Sequence, residues 1–252
     1  MRQKKERSDN RRALPKFLLG LLGAALGGGV LGFFTGIGAH LELGESLSGW
    51  MNGLVAAVTP WAIPATAAVT MGAALALYRS ARRQCLEWNG EDEDTMDRAE
   101  EKLSWVLLLA GVQMMLGMFF FAAASRYLRS DGVMAALAEF LISCGLAVFA
   151  QQKAVDLTKR MNPEKQGSIY DAKFHKKWME SCDEAERQQI GQAAIRAFRA
   201  VCNACVWIWV ALMMLGFVCD IGVLPVFVAM LLWGILQVTY TLECIRLSRK
   251  HA

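Results

Sequence analysis

Six apolar blocks, each long enough to cross a bilayer, leave this chain few folds to choose from. They run over Phe17–Ala39, Trp50–Tyr78, Leu103–Ser125, Val133–Gln152, Val201–Cys219 and Ile221–Leu242. The hydrocarbon core of a membrane is about 30 Å thick and takes roughly 20 helical residues to span. Backbone N–H and C=O groups cannot stay unpaired in lipid, so each block is predicted to be a helix. A transmembrane barrel would show short segments of strict alternation, and the blocks have none. The chain is 55% hydrophobic, above the about 45–50% of a soluble domain, and its mean hydropathy is +0.30. The expected fold is all-α: a polytopic membrane protein with six transmembrane helices in three hairpins, plus short cytoplasmic helices.

The polar stretches divide the chain. Residues 1–16 form a basic tail, and residues 17–152 hold spans one to four with an inner loop at 79–102. Residues 153–200 are a cytoplasmic helical segment, and residues 201–252 hold spans five and six with a short tail. Of the 27 Lys and Arg, all but Arg126 and Arg129 fall on the face shared by these polar segments. Such a bias puts that face in the cytoplasm. A multi-pass protein of the cell membrane with both termini cytoplasmic is expected. The same bias explains the net charge of +4 without a nucleic-acid partner. The expected partners are the lipid bilayer and a protein on the cytoplasmic side.

The first block follows basic residues, as in a signal peptide, but it is too long for that hydrophobic region; an uncleaved span is expected. Gly20, Ala24, Gly28, Gly32 and Gly36 recur every fourth residue along it. Small residues at that spacing let a neighbouring helix approach closely, so they form a predicted packing seam. His40–Gly49 reads as a short polar loop. The second block contains Pro60 and Pro64, and proline removes a helix hydrogen bond. Two arrangements fit: one kinked span, or an interfacial piece Trp50–Pro60 followed by a span Trp61–Tyr78. Broken helices also line transporter sites, which makes both prolines functional candidates.

In the inner loop, Asn89-Gly90 marks a turn. The acidic run Glu91–Asp94 lacks the ligand spacing of a calcium loop. Asp94 is read as the N-cap of a helix running unbroken into the third block. The fourth block carries Glu139, and an acid inside a span is a functional candidate by default. That helix should continue to Met161, where Asn162-Pro163 ends it. Ser168 is the expected N-cap of the next helix, with Asp171 at its third position. Ser181-x-x-Glu184 reads as a capping box opening a stalk whose Ile190, Ala194, Ala197 and Val201 share one face. Pro225 suits the first turn of the last helix.

The segment 153–200 has ten basic and seven acidic residues, net +3; the loop 79–102 has five and eight, net −3. The two are expected to pack together, with Phe174 and Trp178 supplying apolar contact. Lys173, Lys176, Lys177 and Trp178 are the candidate partner-binding residues. A weak internal repeat pairs Asp97-Arg-Ala-Glu100 with Asp183-Glu-Ala-Glu186, and Met114-Met-Leu-Gly117 with Met213-Met-Leu-Gly216.

Chemistry is thin. Cys202-Asn-Ala-Cys205 opens an apolar helix, where a reactive thiolate is disfavoured, and no histidine follows for haem attachment. His40, His175 and His251 offer no zinc spacing. No phosphate loop or nucleophile elbow is present. No catalytic residue, cofactor or metal is expected.

The stretches QQKAVDLTKRMNPEKQGSIYDAKFHKKWMESCDEAE and EWNGEDEDTMDRAEEKLSW closely resemble a family of uncharacterised Gram-positive bacterial membrane proteins, the domain-of-unknown-function family number 3169. The resemblance implies an integral cytoplasmic-membrane protein and carries no reaction, ligand or catalytic residue. Two functions stay open: an interaction or regulatory membrane protein that works through its cytoplasmic helices, and a small transporter or permease component using Glu139, Gln113, Gln237 and the Pro60/Pro64 break.

Overall fold

The computed structural model describes residues 43–88, 93–219 and 221–250, together with residues 15, 19, 22–23, 26–30 and 33. Among them there is no strand. Six helices follow in order: α1 Leu43–Glu87, α2 Glu93–Tyr127, α3 Ser130–Met161, α4 Phe174–Glu180, α5 Glu184–Val218 and α6 Leu224–Lys250. All but α4 are long and apolar enough to cross a membrane. The first apolar block lies mostly outside the described residues, as do Gly20, Ala24, Gly32 and Gly36 of the predicted seam. Of that seam Gly28 alone is described, within a helical stretch, and a Cβ built on it meets nothing within 4 Å.

Several expected boundaries move. Residues 43–49 are helical rather than loop, so α1 is one 45-residue helix that runs through Pro60 and Pro64. Thr59 and Thr66 flank the two prolines and hydrogen-bond back to the carbonyls of Val55 and Ala62. Asp94 lies inside α2 and is not its N-cap, because the helix already includes Glu93. The helix does run unbroken into the third apolar block, and α3 does end at Met161 before Asn162-Pro163.

The chain divides into two compact units. Residues 51–192 hold most of α1 with α2, α3 and α4. Here α2 and α3 pack antiparallel on small side chains. Buried or half-buried positions recur in steps of four and three: Ala99, Leu103, Val106, Ala110, Gln113 and Gly117 on α2, and Ala136, Phe140, Ser143, Ala147, Ala150, Ala154 and Leu157 on α3. That alternation keeps one stripe facing a partner helix, and small residues allow close approach in lipid. At Gly117 a Cβ would sit 3.2 Å from the Phe140 ring. Phe140 in turn stacks on Phe121 at 5.3 Å. Ala74 and Ala81 of α1 close the core against Ala99, Leu103, Val106, Ala154 and Leu157.

The second unit contains residues 193–252 with the N-terminal residues to Trp50. Phe198 stacks on Tyr240 at 4.4 Å, and the Gln237 amide lies 3.7 Å from Cys202 Sγ. Farther along, Cys205, Ile208 and Leu212 of α5 face Pro225, Val228 and Leu232 of α6 across an apolar cavity of about 430 Å³. Pro225 does sit in the first turn of α6. Gly222 before it has φ +66°, the left-handed region that glycine enters without steric cost.

Candidate functional site

Two features of residues 51–192 carry polar chemistry: a network inside the helix bundle, and a clamp beneath it. The network starts from Gln113, a fully buried amide on α2. Thr70 Oγ1 donates to Gln113 Oε1 at 2.9 Å, and Gln113 Nε2 donates to Ser143 Oγ at 3.2 Å. One residue from each of α1, α2 and α3 is thereby tied together. Unpaired polar groups in hydrocarbon cost several kcal/mol, so the buried Gln113 amide needs its two hydroxyl partners.

Beside the network lies a cavity of about 460 Å³ between α1 and α3, lined by Pro64, Ala67, Met71, Glu139 and Ser143 among others. It brings two of the sequence candidates, Pro64 and Glu139, onto one surface. Pro60 does not line it. Glu139 is half-buried, and among the described residues no cation pairs with it. Of the other polar candidates for transport, Gln113 is the centre of the network and Gln237 lies in the other unit.

The clamp is built from two glutamates and one turn. Asn162 and Lys165 sit in the turn after α3, where Lys165 N donates to Asn162 O at 3.0 Å. Asn162 Nδ2 donates to Glu100 Oε1 of α2 at 2.6 Å. Lys165 Nζ pairs with Glu186 Oε2 of α5, and the lysine side chain is only 4% exposed. Burial on its own draws the Lys165 ammonium down, but the Glu186 hydrogen bond, the Cys182 thiol and the Glu186 charge outweigh it. The lysine therefore titrates above its ordinary value. Glu100 and Glu186 close the two Asp-x-Ala-Glu motifs of the sequence repeat, so equivalent residues grip one turn from two helices.

Glu186 also caps α5. Its backbone N–H donates to Asp183 Oδ1 at 2.7 Å, and its Oε2 accepts from Asp183 N at 3.0 Å. The capping box is thus Asp183-x-x-Glu186 and replaces the predicted Ser181-x-x-Glu184. Aspartate is as good an N-cap as serine, and Ser181 Oγ is engaged elsewhere, accepting from Gln166 N and donating to Trp178 O.

Residues 168–173 are turns instead of the predicted start of a helix at Ser168. The reason is local. Gln152 Oε1 of α3 accepts both the Ser168 hydroxyl and the Ile169 N–H, and Ser168 Oγ accepts the Tyr170 N–H within a turn instead of opening a helix. Gly167 adopts φ +124°, and a Cβ there would lie 2.9 Å from the Phe174 ring. Helix α4 then opens after Lys173, with Asp171 Oδ1 accepting Lys173 N at 2.9 Å.

Of the partner-binding candidates, Lys173, Lys176 and Lys177 are exposed and Trp178 is half-buried. Lys177 pairs with Asp171, and Lys176 reaches Glu180 at 3.8 Å. The Lys177 hydrogen bond, followed by that of the Lys173 N–H, holds the Asp171 carboxyl below its usual range. The Phe174 ring packs on Trp178 at 5.5 Å and over Gly167. Contact between the segment 153–200 and the loop 79–102 comes instead from Ala81, Ala99, Ala154, Leu157 and the Glu100–Asn162 bond. On the stalk, Ile190, Ala194, Ala197 and Val201 are exposed.

Sequence reasoning missed Thr70, Ser143 and Lys165. Ser143 was detectable: it is a polar residue within the small-residue stripe of α3, in register with Gln113 on α2. Lys165 carries no such sign, since its burial depends on a partner 21 residues later.

Among the described residues no group of three or more His, Cys, Asp or Glu is placed to hold a metal. Cys202 and Cys205 are free thiols. Comparison of the chain with family models, with curated proteins and with solved structures gives no match.

Proposed function

We propose that this is an integral protein of the cell membrane with both termini cytoplasmic, acting through interaction and not catalysis. Six membrane spans in three hairpins, and membership of the family it resembles, are part of that reading. The observation that carries it is the clamp. Glu100 and Glu186 fasten the Asn162–Lys165 turn to the ends of α2 and α5. Gln152 fastens the next turn to α3. The segment 153–200 is therefore a preformed platform, and its exposed lysines on α4 suit a partner with acidic groups.

The Thr70–Gln113–Ser143 network supplies a depth scale. Taking it as the membrane centre, Pro60 and Arg79 stand ten and nine residues away along α1, about 15 and 14 Å at 1.5 Å per residue. Half the hydrocarbon core is about 15 Å. Residues 50–60 then project past the outer boundary as part of a continuous helix, and Arg79 marks the inner one.

The test is a mild-detergent pull-down from native membranes with the wild-type chain and a form in which Lys173, Lys176 and Lys177 are changed to Glu. A stoichiometric partner present with the first and lost with the second supports the platform. The same set of proteins with both contradicts it.

One observation favours a second reading, a small transporter or permease component: Glu139 and Pro64 line the same cavity. Under that reading a transported ligand raises the thermal stability of the wild type and leaves Glu139→Gln unchanged.

A further inference from the structure

A second cavity, of about 500 Å³, lies toward the inner ends of α1 and α3. Its wall is two-sided. Arg82 of α1 and Lys153 and Arg160 of α3 contribute three cations, and Tyr78 adds a phenol. The remaining lining is hydrocarbon, with no carboxylate in it. Met71, Leu75 and Leu146 also line the neighbouring cavity beside Glu139, so the apolar part continues toward the membrane centre.

Among the described residues, Arg82, Lys153 and Arg160 pair with no acid. Lys153 Nζ lies over the Phe149 ring at 5.3 Å, which leaves its charge in place. Three cations sharing one cavity repel each other, and an anion entering it relieves that. Arginine forks match phosphate oxygens in a bidentate manner.

Depth agrees with charge. Tyr78 and Arg82 stand eight and twelve residues from Thr70 along α1, about 12 and 18 Å at 1.5 Å per residue. Lys153 and Arg160 stand ten and seventeen residues from Ser143 along α3, about 15 and 26 Å, so Arg160 reaches back from the aqueous side. These groups bracket the boundary of a core about 30 Å thick, where lipid phosphates begin. Basic pockets between membrane helices on the cytoplasmic side bind anionic headgroups.

We propose that this cavity binds an anionic phospholipid of the inner leaflet, its phosphate held by Arg82, Lys153 and Arg160 and one acyl chain lying along Met71, Leu75 and Leu146. The proposal rests on the membrane placement given above. The two fail separately, because lipid binding is measured in detergent without reference to sidedness.

The experiment is thermal unfolding of the full chain in a mild detergent, titrated with phosphatidylglycerol, phosphatidylcholine or inorganic phosphate. Wild type is expected to be stabilised by phosphatidylglycerol and by neither of the others. The double variant Arg82→Gln/Arg160→Gln is expected to unfold at the wild-type temperature without lipid, since both side chains are exposed. Its apparent affinity for phosphatidylglycerol should fall about tenfold or more, the loss of one strong charge-assisted contact. A second variant, Arg126→Gln/Arg129→Gln, removes two cations from the far end of the α2–α3 pair and should bind as wild type does. Equal stabilisation by phosphatidylcholine overturns the proposal, as does wild-type affinity in Arg82→Gln/Arg160→Gln. Inorganic phosphate matching the lipid would also overturn it, by showing a site for a soluble anion.

Discussion

Helices α2 and α5 share a length of 35 residues, an Asp-x-Ala-Glu motif at the start and a Met-Met-Leu-Gly motif farther on. Their surroundings differ. In the most apolar window of α2, 22% of residues are buried; in that of α5, none are. A Cβ at Gly117 of α2 would meet Phe140, whereas one at Gly216 of α5 meets nothing within 4 Å. The difference comes from the following helix. α3 answers α2 with Ala136, Ser143, Ala147 and Ala154 in steps that match its turns. α6 answers α5 with Pro225, Val228 and Leu232, which leave a cavity. A helix motif therefore does not fix how tightly a membrane hairpin packs. Complementary small residues on both helices do.

The clamp is where the comparison breaks most visibly. Glu186→Gln leaves the buried Lys165 ammonium without its carboxylate. Breaking a fully buried pair costs about 3–5 kcal/mol. Glu186 is 37% exposed, so solvent screening reduces this to about 2–3 kcal/mol. Glu100→Gln keeps a hydrogen-bonding group toward the neutral Asn162 and should cost about 1 kcal/mol or less. Thermal unfolding in detergent measures both, and equal losses would remove the distinction drawn between them.

Gly117→Leu and Gly216→Leu sharpen the packing contrast. Overpacking a tight contact costs about 1–3 kcal/mol, and the Phe140 ring that would have to move is held in a stack with Phe121. Gly117→Leu should lower the unfolding temperature, and Gly216→Leu should leave it unchanged. A comparable loss in both would mean that α5 is as closely packed as α2.

Gln113→Leu removes the amide that joins α1, α2 and α3. Interhelical hydrogen bonds in membranes average about 0.6 kcal/mol and reach about 1.7. A loss in that range is expected, with the double variant Thr70→Val/Gln113→Leu costing less than the sum of its parts. Strict additivity would show that the two side chains do not interact.

The smallest effect concerns Asp171. Its carboxyl is held below the usual 3.8 by Lys177. A lowered folded-state value stabilises above the unfolded one, and that stability is lost as pH falls through the folded value. Asp171→Asn should therefore unfold slightly earlier than wild type at pH 7, and the difference should shrink as pH falls below 3.8. Unfolding profiles of the two that run parallel across this range would contradict the pairing.

Much of this architecture could be read in the chain. Blocks of hydrocarbon residues predict membrane-length helices whatever their neighbours. Asn162-Pro163 ends α3 because proline disfavours the helical conformation of the residue before it. Cap positions were less legible, because the turn at Ser168 is set by a residue distant in sequence. Gln152, 16 residues before Ser168, takes its hydroxyl. The α2–α3 stripe escaped because a search for small residues at a single four-residue spacing finds Gly20–Gly36 and overlooks alternating steps of four and three. The pairing of Pro64 with Glu139 in one cavity depends on how α1 and α3 cross, which no local pattern records.

The central proposal is that the clamped segment 153–200 lies on the cytoplasmic side of a membrane-spanning bundle. Trypsin added to right-side-out and inverted membrane vesicles tests it on the native chain, since Lys173, Lys176 and Lys177 are exposed. Cleavage at these lysines in inverted vesicles alone is the predicted result. Cleavage there in sealed right-side-out vesicles would put the platform outside the cell and contradict the account.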